Sequence, residues 1–270
     1  MGRLCSRAAF AAVIAVVAGC NAHVGGEPAP GEQAPEAALA SAKRDLTQRP
    51  ALSYSEAVVI EPNDAYAETC TGVLVTPRVV VTAAHCVVFV PNQTWRVTAP
   101  FALGGAETHT AHEGEPMDAA FRNVTPSDYT MRDLSDVGVL YLDVAFVNVK
   151  AATIAPTKLS VEKTAPPIFV SAIGRSAAGA EAGLARSMPA MLDAAGSSRT
   201  PIEYATERLT TPGESGGPLF LEGTHQLVAV HAHADTDGRT DAWARLDSDR
   251  YTWLTQKVAS HGGWSASDPR

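Results

Sequence analysis

From about Leu52 the sequence is a succession of short apolar runs broken by Gly, Pro, Asn and Asp. The clearest are Ala57–Ile60, Gly72–Val75, Val79–Thr82, Val137–Leu142, Ile168–Ile173 and Leu227–Val230. Many short strands with turn residues between them predict an all-β sandwich or barrel, and argue against alternating strands and helices. At 46% hydrophobic residues, the 270-residue chain has the material for a sizeable core, so global disorder is excluded. Two stretches, Ala99–Asn123 and Ala177–Thr200, are rich in Gly, Ala and Pro and read as surface loops. No internal repeat is visible.

Three polar stretches interrupt this texture. Thr211-Pro212-Gly213-Glu214-Ser215-Gly216-Gly217-Pro218 sets a serine in a glycine-rich turn. Small neighbours let a substrate carbonyl approach such a serine and leave backbone N–H groups to point at it. Thr82-Ala83-Ala84-His85-Cys86 carries a histidine at the end of an apolar run, and Asp136-Val137-Gly138-Val139-Leu140 opens another run on an aspartate. Taken singly, the serine turn is any tight loop, His85 a satisfied core histidine and Asp136 a strand-end cap. Taken together, in the order His, Asp, Ser, they follow one of the known chain orders of a catalytic triad.

On these motifs, residues 55–258 or so resemble the chymotrypsin/trypsin family of serine endopeptidases. The resemblance implies two antiparallel six-stranded β-barrels, roughly 55–150 and 151–250, with the active site between them. It also implies a closing C-terminal helix around Tyr251–Val258. His85 would act as general base and then general acid, Asp136 would hold its tautomer, and Ser215 would form an acyl-enzyme. Gly213 and Ser215 would supply the oxyanion-hole N–H groups. Protein or peptide substrates follow, with no cofactor and no metal. A catalytically silent member of the fold that binds a peptide or surface partner is the rival reading.

The family carries a disulfide beside its catalytic histidine, and Cys70 and Cys86 flank the strand pair leading to His85. Two free thiols or a metal pair are the alternatives, the latter without a C-x-x-C partner. Such a disulfide would contribute about 3 kcal/mol in the chain-entropy model. His109, His112 and Glu113, and likewise His231, His233 and Asp235, could be drawn as ligand sets but lack an H-E-x-x-H pattern.

The chain also departs from the family. Glu214 stands where trypsin-like members place the aspartate that pairs with a newly cut α-amino group, and no Ile-Val-Gly-Gly-like start lies near residue 57. Ala232 falls where a serine usually bonds the catalytic aspartate, and His233 where a tryptophan usually lines the cleft. Leu209, Thr210 and His231 fall on the walls of the primary substrate pocket. Leu209 replaces the aspartate that selects Lys or Arg. Thr210 with His231 resembles the glutamyl endopeptidases, which implies Glu or Asp before the cut.

Residues 1–19 read as a lipoprotein signal peptide: Arg3 and Arg7 precede the apolar run Ala8–Ala18, which is short for a bilayer span. Val17-Ala18-Gly19-Cys20 resembles a bacterial lipobox with Cys20 as the acylated residue. Residues 20–51, rich in Gly and Pro, read as a flexible stalk, and 52–262 as the protease domain. The expectation is an exported domain, held to a bacterial membrane by lipid, in the periplasm or on the cell surface. A net charge of -8 gives no support for nucleic-acid binding.

Overall fold

A computed structural model describes residues 49–64, 68–90, 92–125, 134–161, 165–175, 184–193, 202–234 and 238–262. The signal segment, Cys20 and nearly all of the stalk lie outside the described residues. The first strand, β1 (Arg49–Pro50), starts three residues upstream of the expected domain boundary.

Strands β2 (Ala57–Pro62), β3 (Cys70–Thr76), β4 (Val79–Thr82), β5 (Trp95–Ala99), β6 (Glu107–Pro116) and β7 (Gly138–Leu142) close into a barrel in the order β2-β3-β4-β7-β6-β5. The second half is a nine-stranded sheet. It contains β8 (Thr153–Ile154), β9 (Phe169–Arg175), β10 (Leu184–Arg186), β11 (Ala190–Met191), β12 (Glu203–Glu207), β13 (Pro218–Leu221), β14 (Gln226–Ala234) and β15 (Thr240–Arg245). Its path runs β1-β10-β9-β13-β14-β15-β12, with β11 on β9 and β8 parallel to β14. Helix α1 (Ala84–Val88) follows β4, and α2 (Asp249–Ser260) closes the chain. This is the chymotrypsin-like architecture.

The unbroken apolar runs mark strands buried on both faces. On β4, Val80 points into the barrel with Ile60, Leu74, Trp95 and Leu140. Val79 and Val81 point the other way, into a second cluster with Phe220, Val230 and Ala232 from the far half and Leu254 and Val258 of α2. The interface between the halves is therefore a core of its own. Truncating such a side chain, Leu254→Ala for example, costs about 2–5 kcal/mol.

Two expectations need correcting. Ala99–Asn123 is not all loop: β6 is a ten-residue barrel strand, paired with β5 on one side and β7 on the other. Its sequence, ETHTAHEGEP, hides this because only Ala111, Gly114 and Pro116 are buried, so hydrophobicity gives no strand signal. Likewise β10 and β11 interrupt the stretch read as a loop at 177–200.

The segment after β1 joins the halves. Tyr54 stacks on Phe220 at 5.1 Å and lies 4.9 Å from the His225 ring, both in the second half. Glu56, wholly buried, then accepts from His225 Nδ1 at 2.5 Å. Burial pushes the Glu56 carboxyl above the usual carboxylate range, and the bond to His225 only partly offsets it.

Candidate active site

His85 sits in the first turn of α1, directly after β4. Its Nδ1 lies 2.8 Å from Asp136 Oδ2, and its backbone N–H donates to Asp136 Oδ1 at 3.0 Å. A carboxylate only accepts, so Nδ1 carries the hydrogen and Nε2 is the basic nitrogen of the neutral ring. Asp136 is nearly buried, and Arg250 of α2 reaches the preceding residue, donating from Nε to Ser135 Oγ at 3.1 Å. Ala232 is also buried and offers no hydroxyl to the aspartate.

The serine turn docks on the first barrel. Thr71 N–H of β3 donates to Ser215 O at 2.8 Å, and Thr71 Oγ1 to Gly213 O at 3.3 Å. Cys70 and Cys86 form the disulfide, which settles the choice left open by sequence. Cys86 Sγ is 3.8 Å from Ser215 O, and an imidazole nitrogen of His85 is within 4.8 Å of both sulfurs. The Ser215 carbonyl and the His85 ring thus both lie against the same disulfide. Among the described residues, Cys70, His85 and Cys86 are the one grouping with metal-ligand spacing. Both sulfurs are spent in the disulfide, so no thiolate is offered there.

Glycine is required twice in this turn. Gly213 adopts φ +91°, which favours glycine. At Gly216, with φ +75°, a Cβ would stand 2.0 Å from Thr82 Oγ1 and 2.5 Å from Thr71 O. The turn can approach the barrel only without a side chain there. Glu214 folds back so that its carboxylate accepts from Thr211 N–H, and it packs over Gly174. The cavity beside it, bordered by Ile173, Gly174, Leu209, Thr210 and Trp243, holds about 10 Å³. That is about the space of one water.

The three pocket residues also come together. Thr210 Oγ1 and His231 Nε2 are 3.0 Å apart, both buried. Between them lies a residue that the sequence did not single out, Asp241 of β15. Its Oδ2 accepts from the N–H groups of Leu209 at 2.7 Å and Thr210 at 2.8 Å, and its Oδ1 from Thr210 Oγ1 at 2.9 Å. Burial opposes the charge on Asp241, but the His231 contact and these donors outweigh it and hold the carboxyl below its ordinary range. Nothing local in Thr240-Asp241-Ala242 distinguishes this aspartate from a surface one; only the pairing of β14 with β15 reveals it. His109 and His112 of β6 bond separate partners, Glu107 and Asp143, each at 2.8 Å. Asp235 of the other histidine set lies outside the described residues.

A closed β-barrel packed on a second β-sheet, with a His–Asp pair and a serine turn meeting where the halves adjoin, defines the class of chymotrypsin-fold proteins. Residues 46–245 match the protein-family model Trypsin, and the chain belongs to that family of serine proteases. Among solved structures it is similar to HL collagenase, at 15% identity and a TM-score of 0.61, over 79% of this chain and 97% of that one. It is also similar to human heparin binding protein, at 19% identity and a TM-score of 0.60, over 82% and 98%. At such identities the likeness speaks for the fold alone. No curated protein sequence matches the chain significantly.

Proposed function

We propose that the protein is a serine endopeptidase using Ser215, His85 and Asp136. His85 Nε2 takes the Ser215 hydroxyl proton as Oγ attacks the peptide carbonyl, and Asp136 stabilises the imidazolium that forms. The N–H groups of Gly213 and Ser215 receive the oxyanion. The same imidazolium then protonates the leaving amine, and water repeats the sequence on the acyl-enzyme. The observation that carries the reading is the seating of the serine turn on β3, by Thr71 N–H to Ser215 O, beside the His85–Asp136 pair. Cleavage of a peptide library tests it: Ser215→Ala should fold normally and lose about 10⁴-fold or more of the activity. Residual activity within about tenfold of the parent would exclude Ser215 as the nucleophile.

The silent-binder reading draws on Ala232 and His233, which stand where the family usually places a serine that bonds the catalytic aspartate and a tryptophan that lines the cleft. The same assay separates the two, because a silent protein cleaves nothing before or after the substitution.

The uncut chain is proposed to be active. Thr211 N–H already engages Glu214, and the 10 Å³ beside it leaves no room for an inserted amino terminus. A cut at residue 57 would also remove the Tyr54 and Glu56 contacts that join the halves. Export is supported by the Cys70–Cys86 disulfide, since such bonds persist in oxidising compartments. Among the described residues no helix is long and apolar enough to cross a membrane. Anchoring through acylated Cys20 is proposed on the lipobox resemblance, and fatty-acid labelling lost in Cys20→Ser tests it. Thr210 and His231 are adjacent, as the expected preference for Glu or Asp before the cut requires, but both are already engaged with Asp241, and that preference is not part of the proposal.

A further inference from the structure

The hydrogen atoms around Asp241 can be assigned one by one. Its carboxylate accepts only, so the single hydroxyl hydrogen of Thr210 goes to Asp241 Oδ1. Thr210 Oγ1 must then accept from His231, which places a hydrogen on His231 Nε2. Nε2 itself lies 3.6 Å from Asp241 Oδ1, and Arg208 Nε lies 3.7 Å from the same oxygen. The second oxygen takes the Leu209 and Thr210 N–H groups. Hydroxyl, imidazole and paired backbone N–H groups are what a carboxylate-binding pocket needs. Here they converge on a carboxylate of the chain itself, whose side chain is wholly buried.

We propose that Asp241 is the specificity-determining residue of the primary pocket: it occupies the anion receptor of Thr210, His231 and the 209–210 backbone, so that the site takes a neutral side chain before the cut and excludes Glu and Asp. A second carboxylate arriving there finds the donors spent and a negative charge already in place. Desolvating it against a like charge is unfavourable. A substrate Lys or Arg gains little either, because Asp241 already accepts three hydrogen bonds and the Arg208 guanidinium stands 3.7 Å from Oδ1, where a second cation would be repelled. Neutral groups meet neither obstacle. The assignment rests on the endopeptidase reading for what the pocket holds, and it deepens that reading by naming the substrate class.

The test separates the two claims by measuring binding without cleavage. Three peptides differing only in Glu, Gln or Leu before the scissile bond are titrated calorimetrically into Ser215→Ala protein. The Gln and Leu peptides should bind at least about tenfold more tightly than the Glu peptide, the scale of an uncompensated buried charge. Adding Asp241→Ala should bring Glu level with Gln or beyond it. Formate, as a free carboxylate probe, should raise the melting temperature of the Asp241→Ala protein and leave that of its parent unchanged. Asp241→Asn keeps a carbonyl for the two N–H groups and serves if the alanine variant does not fold; it should move the Glu-to-Gln ratio the same way, by about threefold or more. Tighter or equal binding of the Glu peptide by the parent overturns the assignment. So does a ratio that stays put in folded Asp241 variants, or an alanine variant indifferent to formate. Intact Gln-over-Glu binding in a wild-type protein that cleaves nothing would sink the endopeptidase reading and leave the pocket assignment standing.

Discussion

Each half of the molecule holds an aspartate–histidine pair, and the two pairs engage opposite nitrogens of the ring. In the first barrel Asp136 meets His85 Nδ1 at 2.8 Å, which directs Nε2 away from the carboxylate. In the second half His231 turns Nε2 to Thr210 and Asp241, and its Nδ1 is buried without a hydrogen-bond partner. Exposure follows the same division: the His85 side chain keeps 11% of its surface open, whereas the Asp241 side chain keeps none. The same two residue types thus turn Nε2 away from the carboxylate in one place and toward it in the other. What separates them is the set of donors to the carboxylate. Asp136 is bonded by its own histidine twice, while Asp241 is hydrogen-bonded by Leu209 and Thr210 and flanked by His231 and Arg208.

The comparison breaks most visibly at the catalytic pair. Asp136→Asn should leave folding intact and lower kcat by about 10⁴-fold, because an amide can favour the wrong His85 tautomer. Asp241→Asn should reduce activity on a Leu substrate far less, within about tenfold. A parallel collapse of both variants, measured on the same substrate, would show that the two pairs are not functionally distinct.

Stability should respond the other way. Asp241 has a lowered carboxyl pKa, so its contribution is fully present above the unfolded value near 3.9 and is lost as pH falls through the lower folded value. At pH 7, Asp241→Asn should therefore cost roughly 1–3 kcal/mol by denaturant titration, the worth of hydrogen bonds to a buried charge. The deficit should shrink as the pH is taken toward 3. A deficit independent of pH would mean that shape rather than charge holds the loop.

Glu56 sharpens the contrast with the smallest effect and the opposite sign. Its folded pKa is raised, so its charge is a burden that is absent below the unfolded value and fully present above the folded one. The stability of Glu56→Gln relative to the parent should rise between pH 4 and pH 7. A fall over that range would show that the bond to His225 outweighs the burial of the carboxylate and its unpartnered Oε2.

The sequence exposed the first pair and hid the second for a physical reason. His85, Asp136 and Ser215 each lie at the edge of an apolar run, where a polar residue stands out, and their three motifs are local. The β4 strand was readable to the residue because both of its faces are buried. Asp241 belongs to no motif; it meets Thr210 across 31 residues of chain and His231 across the β14–β15 pairing. Strand β6 was missed for the converse reason, since most of its side chains face water and its membership of the barrel is a matter of backbone pairing alone. Thr210 and His231 were found as neighbours, but a list of wall residues cannot show that a third residue has already satisfied them.

The most direct test of the central claim is the mass spectrum of the uncut protein after treatment with a fluorophosphonate, read peptide by peptide. One adduct per chain is expected, on Ser215, formed without prior proteolysis and abolished by His85→Ala. An unmodified Ser215, or an adduct on a different serine, would contradict it.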